Sequence, residues 1–128
     1  MPGSALAANE AFYTALARGD AVAMAALWSR RRPVACIHPG WPVLAGRDAV
    51  MQSWDAMLRN PPKVVPEEVR VLDYGDTAVV LCIERIGENR LAATNVFVRE
   101  PAGWRMVHHQ SGPSREANPP AQPTGTIH

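Results

Sequence analysis

The sequence predicts an α+β fold: a curved, mostly antiparallel sheet, covered on its concave face by three N-terminal helices and enclosing a conical cavity. Three observations carry this. Apolar residues recur at helical spacing through most of the first 59 positions. From residue 67 onward the period becomes that of strands, in four long segments separated by Gly-containing turns. Helices that precede a run of antiparallel strands pack together on one face of the sheet, and a bent sheet closed by helices leaves a hollow of the kind ligands occupy.

Residues 4–18 suit a helix, Ala-rich, with Phe12 and Leu16 four apart on one face. Gly19 can take the left-handed conformation that ends it, and Asp20 can cap the next helix. That helix runs to about Trp28, with Met24, Leu27 and Trp28 forming a stripe, and Pro33 prevents continuation. The run Arg30-Arg31-Arg32 is expected to offset the dipole at this helix's C-terminus. Residues 34–38 read as a short strand, Pro39-Gly40-Trp41-Pro42 as a turn, and residues 43–45 as the returning strand. Residues 47–59 carry the clearest helical period, through Val50, Trp54, Met57 and Leu58, and Asn60-Pro61-Pro62 stops them. Strands follow at 67–74, 77–86, 90–99 and 103–111. The second is almost continuously apolar, as if buried on both faces.

The chain has 128 residues, 47% of them apolar and 20% charged, which fits one domain over residues 1–113. Residues 114–128 form a Pro-rich, core-poor tail. A net charge of +1 gives no long-range attraction to nucleic acid or anionic membranes. No apolar run approaches the ~20 residues of a membrane span, and no export signal is visible, so a cytoplasmic protein with buried thiols at Cys36 and Cys82 is expected.

Polar residues set in apolar strands are the candidate site. His38 closes the first strand on the same face as Cys36 and can donate a proton or a hydrogen bond, or fix the turn that follows. His108 and His109 are adjacent on a strand and point to opposite faces. Strict alternation groups Met106, His108 and Gln110 against Val107, His109 and Ser111; the reading leans to His108 and Gln110 as pocket residues. Asn95 in an apolar strand must find partners, from a ligand or from a turn. Glu84 shares a face with Val80 and Cys82. It is expected to pair with Arg70, Arg85 or Arg99; unpaired, it becomes a desolvated acid or base. Trp54 fills the core, while Trp41, in a turn, is placed to stack on a ligand. HExxH, CxxC, GxSxG and a Gly-rich phosphate loop are all absent. No metal or cofactor is expected.

Residues 9–28 (NEAFYTALARGDAVAMAALW), 38–54 (HPGWPVLAGRDAVMQSW) and 93–113 (ATNVFVREPAGWRMVHHQSGP) resemble, in this order, segments of the SnoaL-like, nuclear-transport-factor-2-like superfamily with its cystatin-like cone. The resemblance implies a homodimer through the outer sheet face. Many relatives carry a third His where this chain has Gln110, and the Asp used by the family's isomerases and cyclases has no obvious match, since Asp55, Asp73 and Asp76 lie on a helix or beside a turn. The superfamily hosts enzymes and binders alike. The residues fit a small hydrophobic-ligand-binding protein. The alternatives are a lyase, isomerase or hydrolase using His38 or another cavity His as acid or base, and a dimeric assembly module without chemistry.

Overall fold

The computed structural model describes residues 3–115; most of the expected tail, residues 116–128, lies outside the described residues. Helix α1 spans Ala5–Arg18, α2 Ala21–Leu27 and α3 Arg47–Met57. Strands are β1 Ala35–Ile37, β2 Leu44–Ala45, β3 Val65–Asp73, β4 Thr77–Ile86, β5 Asn89–Glu100 and β6 Gly103–Pro113. The sheet runs in the order β2-β1-β6-β5-β4-β3, and only the β1–β6 pair is parallel. That pair seats the short hairpin against the last strand and brings the end of β1 beside the His-rich part of β6.

Local chemistry sets the helix ends. Ser4 accepts from Ala7 N at 3.1 Å to start α1, and Asp20 accepts from Ala23 N at 3.0 Å to start α2. Gly19 ends α1 at φ 63°, and a Cβ there would lie 2.8 Å from the Leu58 carbonyl oxygen. Only glycine satisfies both the backbone angle and the close approach to the end of α3. The cation at the end of α2 is not the arginine run. The helix stops at Leu27, before that run, and Ser29 Oγ takes the N–H groups of Arg31 and Arg32. Arg47 reaches back from α3 and donates to the carbonyls of Ala25 (2.7 Å) and Trp28 (2.8 Å) instead.

Phe12, Met24, Trp28, Trp54, Phe97 and Met106 are fully buried between the helices and the sheet, and fill most of the cone. The sheet's other side is different. On β4, Ala78, Val80, Cys82 and Glu84 are buried, while Val79, Leu81 and Ile83 remain half-exposed. The expectation of burial on both faces is therefore corrected: helices cover one side, and no described element covers the other.

A bulge in β6 decides the site. Across the β5–β6 ladder Val96 pairs with His108, but Phe97 pairs with Met106, so Val107 is extra. One inserted residue reverses the alternation of everything beyond it. Met106 and His109 thus face the helices together, which strict alternation forbids.

Candidate functional site

Helix α1 presents Asn9 and Tyr13, one turn apart, on the stripe that also carries Phe12 and Leu16. Opposite them the sheet presents Cys82 and Glu84 from β4, Asn95 from β5, and His109 and Ser111 from β6. All of these side chains are buried. Asn9 and Tyr13 escaped the sequence reading, although polar groups at i and i+4 within an apolar helix face were a usable signal.

The hydrogen bonds form one directed chain. Asn95 Nδ2 donates to Asn9 Oδ1 (2.9 Å) and to Tyr13 Oη (3.1 Å), using both amide hydrogens. Asn95 Oδ1 is left as the acceptor for His109 Nδ1 at 2.6 Å, so Nδ1 carries the imidazole proton. Tyr13 donates to Glu84 Oε2 at 2.7 Å, and Cys82 Sγ, 3.2 Å away, can then donate to Tyr13 Oη. His109 Nε2 is unprotonated and lies 3.9 Å from Glu84 Oε2, beyond hydrogen-bond reach. His38 has the opposite tautomer. Ser53 donates to the Val50 carbonyl (2.7 Å), so Ser53 Oγ accepts from His38 Nε2 at 2.9 Å. Trp54 packs on both imidazoles, its ring centroid 4.8 Å from His38 and 5.7 Å from His109.

His38, Trp54, Glu84, His109 and Ser111 line one cavity of about 150 Å³, walled otherwise by apolar residues including Leu16, Met57 and Leu91. Burial disfavours charge on each titratable group here. It lowers His38, and it lowers His109 to about 3, helped by the nearby His38 and His108. It raises Glu84 against the opposing hydrogen bonds from Tyr13 and Ser111, and it raises Cys36 to about 12. The cavity is polar, burial works against charge on both groups, and His109 Nε2 is left as a bare acceptor beside the Glu84 carboxyl.

The structure brings together His38, Trp54, Glu84 and His109. Asn95 is buried behind His109 and orients it. Trp41 is 47% exposed and meets the His38 ring edge-on, with centroids 5.1 Å apart and the planes at 74°. His108 pairs with Val96 on the outer face, half-exposed, and Gln110 on that face is exposed. The lean toward His108 and Gln110 is corrected: the Val107 bulge exchanges them for His109 and Ser111. The expected arginine pairing of Glu84 is also corrected. Arg85 points to the opposite face and pairs with Glu67 at 3.0 Å, while Glu84 turns inward to Tyr13. No helix among the described residues is long and apolar enough to cross a membrane.

The two imidazoles make stability depend on pH. Both are held below an unfolded histidine's value of about 6.5, so below that pH the unfolded chain binds protons the folded chain refuses. Their contribution is lost on acidification, at up to about 1.4 kcal/mol per pH unit for each histidine. Glu84, raised above its unfolded value of 4.5, acts oppositely and loses its contribution as pH rises through its folded value. Denaturant unfolding should show stability rising from pH 5 to 6.5, with a smaller slope in His109→Phe and a larger one in Glu84→Gln. A wild-type slope of zero or below would contradict the neutral-imidazole assignment.

Comparison with known proteins bears on the same domain. Residues 5–114 match the family model of the SnoaL-like domain. A structure from Streptomyces avermitilis, named as a candidate dehydratase of the nuclear-transport-factor-2-like family, is 35% identical. The match covers 85% of this chain and 92% of that one, with a TM-score of 0.77. A candidate calcium/calmodulin-dependent protein kinase type II association domain from Thiobacillus denitrificans is 32% identical over 90% of this chain and 98% of its own, with a TM-score of 0.75. The F-box protein SKIP8 of Arabidopsis thaliana is 27% identical over 110 residues, 83% of this chain but only 48% of that protein, so the chain spans about half its length. The chain belongs to the SnoaL-like domain family of the nuclear-transport-factor-2-like superfamily.

Proposed function

We propose that the chain binds a compact small molecule in the cavity between His38, Glu84 and His109. One observation carries this reading: three titratable side chains from β4, β6 and the end of β1 converge on a single cavity of about 150 Å³. Convergent polar groups with perturbed titration in an otherwise apolar pocket mark a site, since a purely structural core is better served by apolar residues. The volume suits an occupant of roughly benzene size, well below a drug-sized ligand.

A second reading is acid–base catalysis on that ligand. It is favoured by the Glu84 carboxyl, raised by burial and able to give a proton, lying 3.9 Å from the bare His109 Nε2, which is the acceptor beside it although burial makes it a weak base. The similarity to a candidate dehydratase agrees with it, because removing water from a carbon skeleton uses both roles. Self-association through the outer sheet face is compatible with either reading. Leu72, Val79 and Val96 pair across β3, β4 and β5 as a half-exposed apolar row, with Leu81 and Ile83 half-exposed beside it on β4. The similarity to a candidate association domain agrees with a partner copy as its cover.

Titration with a panel of small neutral compounds, followed by methyl and indole NMR, should shift Met57 and Trp54 together. Run in D₂O with cyclohexanone, the same experiment should show deuterium entering the α-carbons if the site is catalytic, and none in Glu84→Gln. Shifts confined to the outer face, or none for any compound, would contradict a cavity site. In sedimentation at about 100 μM the chain should run as a dimer, and Leu81→Arg should make it a monomer; a monomeric wild type would remove the outer-face proposal.

A further inference from the structure

The hydrogen-bond inventory of the cavity goes beyond its size, and it points to a ligand class. We propose that the cavity selects an uncharged hydroxyl compound of about the size of phenol, its O–H donated to His109 Nε2. This rests on the reading of the cavity as a ligand site and specifies what that site takes.

Charge is the first discriminator. No Lys or Arg is among the residues lining the cavity. A carboxylate or phosphate would be buried there without a cation, at a cost of several kcal/mol. An ammonium would need an ionised Glu84, and burial holds that carboxyl toward its neutral form. A cationic ligand would also lie beside two imidazoles and the indole of Trp54, none of which supplies a negative charge.

Hydrogen-bond direction is the second discriminator. His109 Nδ1–H is committed to Asn95 at 2.6 Å, which leaves Nε2 as an acceptor. It lies 3.9 Å from Glu84 Oε2, too far to bond directly. An oxygen about 2.8 Å from each atom closes a triangle over that gap, which is ordinary hydrogen-bond geometry. A hydroxyl there donates to Nε2 while resting against the Glu84 carboxyl, whereas a carbonyl can only accept and leaves Nε2 without a donor. Trp54 is 2% exposed and lines the same cavity, and its Nε1–H, like that of Trp28 elsewhere in the core, has no acceptor among the described residues. A buried indole N–H usually has one. The remaining wall, including Leu16, Met57 and Leu91, is apolar and suits a ring or short hydrocarbon body.

The test uses four probes of matched shape: phenol, toluene, benzoate and benzylammonium. Each is titrated into the full chain by calorimetry, with the Trp54 indole N–H resonance as the site reporter. Phenol is expected to bind about tenfold more tightly than toluene, the worth of one buried hydrogen bond, with both ions undetectable. His109→Phe keeps a ring and removes the acceptor, and should bring phenol and toluene to equal affinity. If that variant does not fold, the phenol-to-toluene ratio in the wild type decides alone. Equal affinities in the wild type, or benzoate or benzylammonium as the tightest probe, would overturn hydroxyl selection while leaving the cavity a ligand site. Failure of all four to move the Trp54 resonance would overturn both.

Discussion

The short hydrogen bond between His109 Nδ1 and Asn95 Oδ1 is the constraint on which the interior of this protein turns. Both residues are buried between the helices and the sheet. A buried polar group left unsatisfied costs about 1–3 kcal/mol, so the chain Asn9–Asn95–His109, with its branch through Tyr13 to Glu84, has to be complete or nearly so. Completeness demands agreement between distant parts of the sequence. Helix α1 must turn Asn9 and Tyr13 toward the sheet, β5 must carry Asn95 inward, and β6 must deliver His109 rather than His108. The Val107 bulge performs the last step by changing the phase of β6 partway along its length.

Most of the architecture was legible because it rests on local chemistry. Ser4, Gly19 and Asp20 mark helix ends through their own backbone and side-chain preferences, and Trp54 sits on an unmistakable apolar stripe. Pairing was less legible. Nothing near Ala35 announces that its strand runs parallel to β6, since that contact joins residues more than seventy positions apart. The bulge was invisible for a related reason: the extra residue is a valine, without the glycine or proline that would flag an irregular strand. Period-two reasoning then assigned His108 and Gln110 to the wrong side. Glu84 illustrates a third limit. Several arginines stand near it in sequence, but the one adjacent to it points to the opposite face, and its actual partner, Tyr13, comes from the first helix.

The two faces of the sheet differ in what covers them. The helix-covered face is dense, with large aromatic and thioether side chains filling most of the cone, and it leaves one small hollow where His38, Glu84 and His109 meet. The other face mixes half-exposed Val79, Leu81, Ile83 and Val96 with charged and polar residues, and no described element covers it. Among the structures this chain resembles are a candidate dehydratase and a candidate association domain, and the physical reason one scaffold accommodates such different names is visible here. A ligand site inside the cone and a contact surface outside it would draw on different side chains of the same strands, because alternation along a strand keeps the two sets apart.

The protonation state of His109 tests the whole arrangement most directly. Nitrogen-15 NMR of the imidazole distinguishes a protonated from an unprotonated ring nitrogen. The hydrogen-bond chain requires a protonated Nδ1 and a bare Nε2, with no imidazolium forming as pH is lowered from 7 toward 4. Protonation at Nε2, or a ring that titrates like an exposed histidine, would contradict it.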